Sequence, residues 1–123
     1  MDYRLVEQND IRIIECLQGF CIKTEKDALD VVGFCGESQS NRVLLYECNL
    51  GPDFYDLKTG LAGMMLLKFS NYRIVAAAVL DPLESKKGRF GEFAWETNHS
   101  NEFRIFPDRT SALNWLAGKN GTR

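Results

Sequence analysis

The chain has 123 residues, the usual length of one domain and enough to bury a hydrophobic core without disulfide or metal support. Its 15 Lys and Arg residues against 17 Asp and Glu residues give a formal net charge of −2, which argues against a nucleic-acid-binding surface. A single histidine excludes metal sites and catalytic mechanisms that need two histidines. We expect one domain over residues 1–117, followed by a flexible polar tail over residues 118–123.

The sequence also carries information on the cellular compartment of the protein. The first residues show no basic segment followed by an apolar stretch, so we expect no secretory signal. The longest apolar run, residues 74–80, has seven residues, whereas a membrane-spanning helix needs about twenty. The four cysteines form no Cys-x-x-Cys pair and are expected to be reduced thiols. These features predict a cytoplasmic protein with no membrane or nucleic-acid partner, no metal and no cofactor.

The first elements are predicted to be a β-hairpin and a helix. Two short apolar segments separated by a turn signal predict strands over residues 3–7 and 11–16. Thr24 is placed to cap the first helix, and Asp27 stands three residues later, as in a capping box. Apolar residues then recur at helical spacing up to Gly36, which is typical of a helix end.

The middle of the chain alternates between strand and helix patterns. Residues 43–48 are predicted to form an apolar strand, and residues 49–55 a loop with the turn signal Gly-Pro-Asp. Asp56 is expected to cap a helix that runs to about Ser70. The uninterrupted apolar run over residues 74–80 is typical of a central strand that is covered on both faces.

The last predicted elements complete an α/β pattern. A third helix is expected over residues 82–97, then a short strand over 103–106, and a final helix capped by Asp108 and ended by Gly118. The order β-β-α-β-α-β-α-β-α predicts a mixed sheet, mostly parallel, with an antiparallel N-terminal hairpin at its edge.

The densest group of polar residues lies where the strand over 43–48 leads into the next helix. In open α/β sheets, ligands bind at the carboxyl ends of strands, near a point where the strand order reverses. A ligand or partner site is one interpretation of the group; turn formation, helix capping and simple solvation are the other. The candidate site residues are Glu47, Asn49, Asp53, Asp56, Lys58 and Thr59.

Two glycines are predicted inside the second helix. Gly60 and Gly63 would each cost that helix about 1 kcal/mol relative to alanine. Close packing of the helix on the sheet is the favoured reason for them, and close approach of a ligand or partner is the alternative.

The same region carries a resemblance to a known family. The sequence NLGPDFYDLKTGLAG over residues 49–63 resembles the bacterial DUF4180 family, and the resemblance extends over most of the chain. The further matching segments are LKF at 67–69, NYR at 71–73, ETN at 96–98 and ALNWL at 112–116.

A second resemblance lies within that motif. The sequence DLKTGL over residues 56–61 is similar to the Asp-Ser-Ser-Gly-Leu segment of STAS domains, the anti-sigma-factor antagonists. Thr59 takes the place of the serine that is phosphorylated in those domains. The resemblance implies a STAS-like fold, a regulatory function without catalysis, and Thr59 as a candidate phosphorylation site.

Two functional hypotheses use the polar group directly. In the first, the protein is a non-enzymatic regulatory or ligand-binding module that acts through residues 47–63. In the second, it is a small-molecule enzyme in which Glu47, Asp53 or Asp56 acts as an acid or base. Lys58 would then stabilise developing charge, and one carboxylate would have to be desolvated.

A third hypothesis is a structural homo-oligomer. Trp95 and Trp115 fall off the main apolar stripes, and aromatic residues are enriched at subunit interfaces, so a homodimer is expected in that case. The binding module is preferred, because the scarcity of histidine favours binding over catalysis. Its partner is expected to be a protein or a small molecule.

Overall fold

A computed structural model describes residues 2–80 and 101–118 of the chain. These residues form a five-stranded mixed sheet and four helices, with short 3-10 turns between some of them. In chain order the elements are β1 (Tyr3–Gln8), β2 (Ile11–Cys16), α1 (Glu25–Ser38), β3 (Arg42–Tyr46), α2 (Gly51–Tyr55), α3 (Leu61–Asn71), β4 (Val75–Val79), β5 (Phe103–Phe106) and α4 (Arg109–Ala117).

The predicted N-terminal hairpin is confirmed. Strands β1 and β2 pair antiparallel, and Gln8 stands opposite Ile11 at the closed end. The two turn residues, Asn9 and Asp10, have left-handed φ angles of 54° and 65°. Two-residue hairpin turns favour such angles because they match the right-handed twist of the strands, and Asn and Asp tolerate them better than most residues do.

Strands β2 to β5 are parallel, and the sheet order is β1-β2-β3-β4-β5. The order therefore follows the chain and does not reverse anywhere among the described strands. The switch point that the sequence-based argument used to place a ligand is absent from this part of the sheet. The carboxyl ends of the four parallel strands still lie on one side of the sheet, which is where open α/β sheets bind ligands.

Helices cover both faces of the sheet. Helices α1 and α3 pack on one face, over Ile14, Val43 and Ala76. Helix α4 packs on the other face, over Leu44 and Ala77. Burial on both faces explains why these strands are almost uninterrupted apolar runs, and it confirms the interpretation of residues 74–80 as a central strand.

Two of the predicted helix caps, Thr24 and Asp108, are confirmed. The Thr24 hydroxyl accepts a hydrogen bond from the backbone N–H of Asp27, and the Asp27 carboxylate accepts one from the backbone N–H of Thr24. Asp108 caps α4 with its own carboxylate. Helix α1 passes Gly36 without ending there, and Gln39 terminates it with a left-handed φ of 55°.

Some predicted features lie outside the described residues. These are the helix expected over residues 82–97, together with its Trp95, and the tail beyond residue 118. None of the helices formed by residues 2–80 and 101–118 has the length and apolarity needed to cross a membrane.

Candidate functional site

The segment between β3 and α3 is more helical than its sequence suggests. Strand β3 ends at Tyr46, two residues before the predicted end, and a 3-10 turn over Glu47–Asn49 follows it. The loop predicted for residues 49–55 then contains the short helix α2. Pro52 lies in the first turn of α2, where its missing N–H removes no hydrogen bond, so a turn signal serves here as a helix start.

Helix α3 begins later than predicted. Asp56 caps a 3-10 turn instead of α3, and its carboxylate accepts the backbone N–H of Lys58 at 3.1 Å. Gly60 follows with a left-handed φ of 76°, and α3 starts at Leu61. The prediction that both glycines lie inside the helix is therefore wrong for Gly60 and correct for Gly63.

The two glycines should respond oppositely to alanine. Among the described residues, a Cβ at Gly60 or Gly63 would meet no atom within 4 Å, so backbone conformation alone decides the outcome. Gly60→Ala should lower the free energy of unfolding by about 1 kcal/mol, because alanine is strained at positive φ. Gly63→Ala should raise it by a similar amount of about 1 kcal/mol, because alanine favours helix. Urea denaturation of both variants tests this, and equal shifts would contradict it.

Asn49 is fully buried and forms part of the structural core of the segment. Its side-chain Nδ2 donates to the carbonyl oxygens of Leu17 at 2.9 Å and Phe20 at 2.7 Å. Its Oδ1 accepts the backbone N–H of Tyr46 at 2.7 Å, and its backbone carbonyl accepts the N–H of Ile22 at 2.7 Å. Both amide hydrogens are thus used to join the loop after β2 to the end of β3.

The other predicted site residues are exposed on the surface. Residues 47–60, here called the β3–α3 segment, are anchored by Leu50 and Phe54, whose side chains are buried. The enzyme hypothesis needs a desolvated carboxylate, but the three acidic residues of the segment are all solvent-exposed. The exposed residues are Glu47, Asp53, Asp56, Lys58 and Thr59.

Thr59 connects α2 to the start of α3. Its hydroxyl lies 2.7 Å from the carbonyl oxygen of Asp53 and 2.9 Å from that of Asp56, and it donates its single hydrogen to this pair. The hydroxyl oxygen also accepts the N–H of Leu61 at 3.2 Å, at the start of α3. Thr59 is exposed, and its hydroxyl also fixes the path of the chain between α2 and α3.

A second polar group lies at the same edge of the sheet, on the face that α4 covers. The Glu15 side chain is only 4% exposed, and it accepts hydrogen bonds from Arg4 Nε at 2.8 Å and Arg109 Nε at 3.0 Å. The Tyr46 hydroxyl donates a hydrogen bond to the same carboxylate. We call these residues, Arg4, Glu15, Tyr46 and Arg109, the Glu15 cluster.

The electrostatics of the Glu15 cluster favour one charge state. Burial by itself raises the pKa of Glu15, but hydrogen bonds from Arg109, Tyr46 and Arg4 outweigh it and lower that pKa to about 2. Burial and the neighbouring carboxylate raise the pKa of Tyr46 to about 12. Glu15 is thus an anion at neutral pH and its tyrosine partner is neutral, an arrangement that fixes structure instead of exchanging protons.

The sequence signal for this cluster is slight. Glu15 is a charged residue in an otherwise largely apolar strand, on the same face as the buried Ile13. A charged side chain at an inward position needs partners, and this requirement is the only hint in the sequence that such a cluster exists.

The remaining sequence-based candidates have other surroundings. Trp115 packs within the chain, with its ring centroid 5.7 Å from that of Phe106 and 5.3 Å from the Arg104 guanidinium carbon.

Two clefts of about 480 and 350 Å³ lie at the opposite, amino-terminal edge of the sheet, and both are lined in part by residues 39–41. The predicted site residues line neither cleft.

Comparison with known proteins gives a family match. The sequence profile of a domain of unknown function, DUF4180, matches residues 8–116. No curated protein and no solved structure matches the chain. The matched range contains the whole β3–α3 segment and every residue of the Glu15 cluster except Arg4. The chain therefore belongs to the DUF4180 family.

Proposed function

We propose that the protein is a non-enzymatic regulatory module with a STAS-like fold, which binds a partner protein through the β3–α3 segment. The observation that carries this proposal is the combination of exposed polar side chains with a backbone anchored by buried ones. Leu50, Phe54 and Asn49 are buried beneath the segment, so its surface is already ordered before a partner arrives. Such preorganisation reduces the entropy cost of binding.

The charge of the segment indicates the chemistry of the partner. Glu47, Asp53 and Asp56 contribute three carboxylates, and Lys58 contributes one ammonium group. An exposed surface with this excess of negative charge is complementary to a basic protein surface, and complementarity of this kind speeds encounter and selects the partner. This exposed surface suits a small-molecule ligand less well, because small molecules are usually bound in concave pockets.

Thr59 is the proposed control point of this surface. A phosphate on its oxygen would add about −1.5 to −2 charges at neutral pH and would remove the hydrogen that the hydroxyl donates. The carbonyl oxygens of Asp53 and Asp56 would then face an anion instead of a donor. The turn before α3 would open, and the partner would lose the shape that it recognises.

A pair of charge reversals tests the binding surface. Tagged protein should be purified from its own cells, and the proteins that accompany it should be quantified by mass spectrometry. Asp53→Lys should reduce recovery of the partner by about tenfold or more, equivalent to at least ~1.4 kcal/mol. Asp30→Lys, on α1 and outside the segment, makes the same charge change and should leave recovery unaltered. Equal recovery with both variants would exclude the segment as the binding surface.

Thr59 requires a separate experiment. Thr59→Asp should release the partner, whereas Thr59→Ser keeps a hydroxyl and should retain it. Intact-mass measurement of the purified protein should show a phosphorylated fraction that Thr59→Val abolishes. An unmodified Thr59 together with normal partner recovery by Thr59→Asp would remove the phosphorylation proposal while leaving the binding surface in place.

A further inference from the structure

Among the strands formed by residues 2–80 and 101–118, β1 is the outermost, and it directs part of its backbone away from the sheet. The N–H of Leu17 donates to the carbonyl of Asp2 at 2.8 Å, which identifies this opposed pair as a hydrogen-bonded one. In an antiparallel ladder, hydrogen-bonded and non-hydrogen-bonded pairs alternate, so every second residue of β1 bonds to β2. The residues between them point their N–H and C=O groups outward; these are Tyr3, Leu5 and Glu7.

Two features that often prevent edge pairing, proline and a β-bulge, are missing from β1. The strand sequence YRLVEQ contains neither proline nor glycine, and it pairs with β2 in an unbroken register without a bulge. At its centre, Leu5 is 48% exposed although it is apolar. A regular strand of this kind, with outward backbone groups and an exposed leucine, is a template for another strand.

We propose that β1 pairs antiparallel with β1 of a second copy of the chain, about a two-fold axis through Leu5. This register places Leu5 opposite Leu5 and Tyr3 opposite Glu7, so it uses every outward-pointing residue. Each opposed pair exchanges two hydrogen bonds. Other two-fold registers that keep side chains on matching faces leave at least one of these residues without a partner. The two five-stranded sheets become one continuous sheet.

The side chains are compatible with this register. Leu5 meets its own copy on the face that α1 and α3 cover, where it stands opposite Ile14 in its own sheet. Tyr3 is held in place by stacking on Phe34, with ring centroids 4.5 Å apart, and Glu7 of the second copy would lie beside it. No like charges stand directly opposite each other, an arrangement that would destabilise the pair.

The pairing also fixes the relation between the two binding surfaces. The axis is normal to the sheet, so the parallel strands of one copy run opposite to those of the other. The two β3–α3 segments, each at the carboxyl ends of its own strands, therefore lie at opposite ends of the strands in the joined sheet. A dimer built in this way presents two binding surfaces that face in opposite directions, and one small partner cannot reach both of them.

Sedimentation equilibrium of the full chain tests the proposal. With rising concentration, the wild-type mass should move from 14.0 kDa toward twice that value. Leu5→Lys places two like charges on the axis and should raise the dissociation constant by about tenfold or more. Leu67→Lys, at another exposed leucine on α3, is the matched control and should dimerise normally. A monomer at all concentrations, or equal effects of the two variants, would overturn the proposal.

A cross-link tests the register independently. Opposed residues in a hydrogen-bonded pair have Cα atoms about 5.5 Å apart, within the range of a disulfide. In a background with the exposed Cys48 changed to serine, Leu5→Cys should therefore form a covalent dimer on mild oxidation. Val6→Cys, which stands opposite Arg4 of the second copy, should cross-link poorly. Equal cross-linking at both positions would contradict this register.

Discussion

Asn49→Ala should lower the free energy of unfolding by roughly 3–5 kcal/mol, one of the two largest effects expected in this protein. The substitution removes the partner of two carbonyl oxygens, those of Leu17 and Phe20, and of the Tyr46 N–H. Asn49 is 0% exposed, so no water readily replaces the amide. Each buried polar group that is left without a partner costs about 1–3 kcal/mol.

The matched control for this variant is Asn114→Ala. The Asn114 side chain also makes a hydrogen bond, to Gln8 at 2.9 Å, but that bond lies in solvent. Its loss should change the free energy of unfolding by less than about 0.5 kcal/mol. Urea denaturation followed by far-UV circular dichroism measures both variants. Similar losses for the two would mean that the buried amide does not hold the segment.

Glu15→Gln should produce the second large effect, and this effect should depend on pH. The pKa of Glu15 is lowered from 4.5 to about 2 in the folded protein. Ionised Glu15 therefore contributes about 3 kcal/mol of stability at neutral pH. Because the folded pKa lies below the unfolded one, this contribution is present above pH 4.5 and is lost as the pH falls toward 2.

The variant should accordingly be less stable than the wild type at neutral pH and should approach it in acid. Denaturation curves at several pH values between 7 and 2 would show the two stabilities converging. Glu47→Gln makes the same chemical change at an exposed position, and its difference from the wild type should stay small at every pH. A constant difference between Glu15→Gln and wild type across the range would contradict a role for the ionised form.

The elements that could be predicted from the sequence are those with strong local signals. The five strands follow from short runs of apolar residues, and the starts of α1 and α4 follow from Thr24 and Asp108. The β3–α3 segment cannot be predicted in the same way, because its residues suit more than one structure. Gly-Pro-Asp is both a turn signal and a good helix start, and Gly60 ends a turn with a positive φ that sequence alone does not show.

The Glu15 cluster could not be predicted, because its members are far apart in the chain. Glu15 and Arg109 are separated by 94 positions, and the hydrogen bond between them exists only after the whole sheet has formed. Asn49 posed a different difficulty. An asparagine after a strand suits a turn, a ligand site or a buried bridge equally well, and the choice depends on the carbonyl groups that the fold brings to it.

The agreement between strand order and chain order has a consequence for biosynthesis. Each strand pairs with the strand that precedes it, so the sheet can be extended one strand at a time as the chain leaves the ribosome. Pairing between consecutive strands also keeps the entropy cost of loop closure low at each addition. Contacts with α4 come later: Glu15 is made early but acquires Arg109 only when α4 has been synthesised. A nascent chain halted before α4 would hold a carboxylate that still lacks one of its cations.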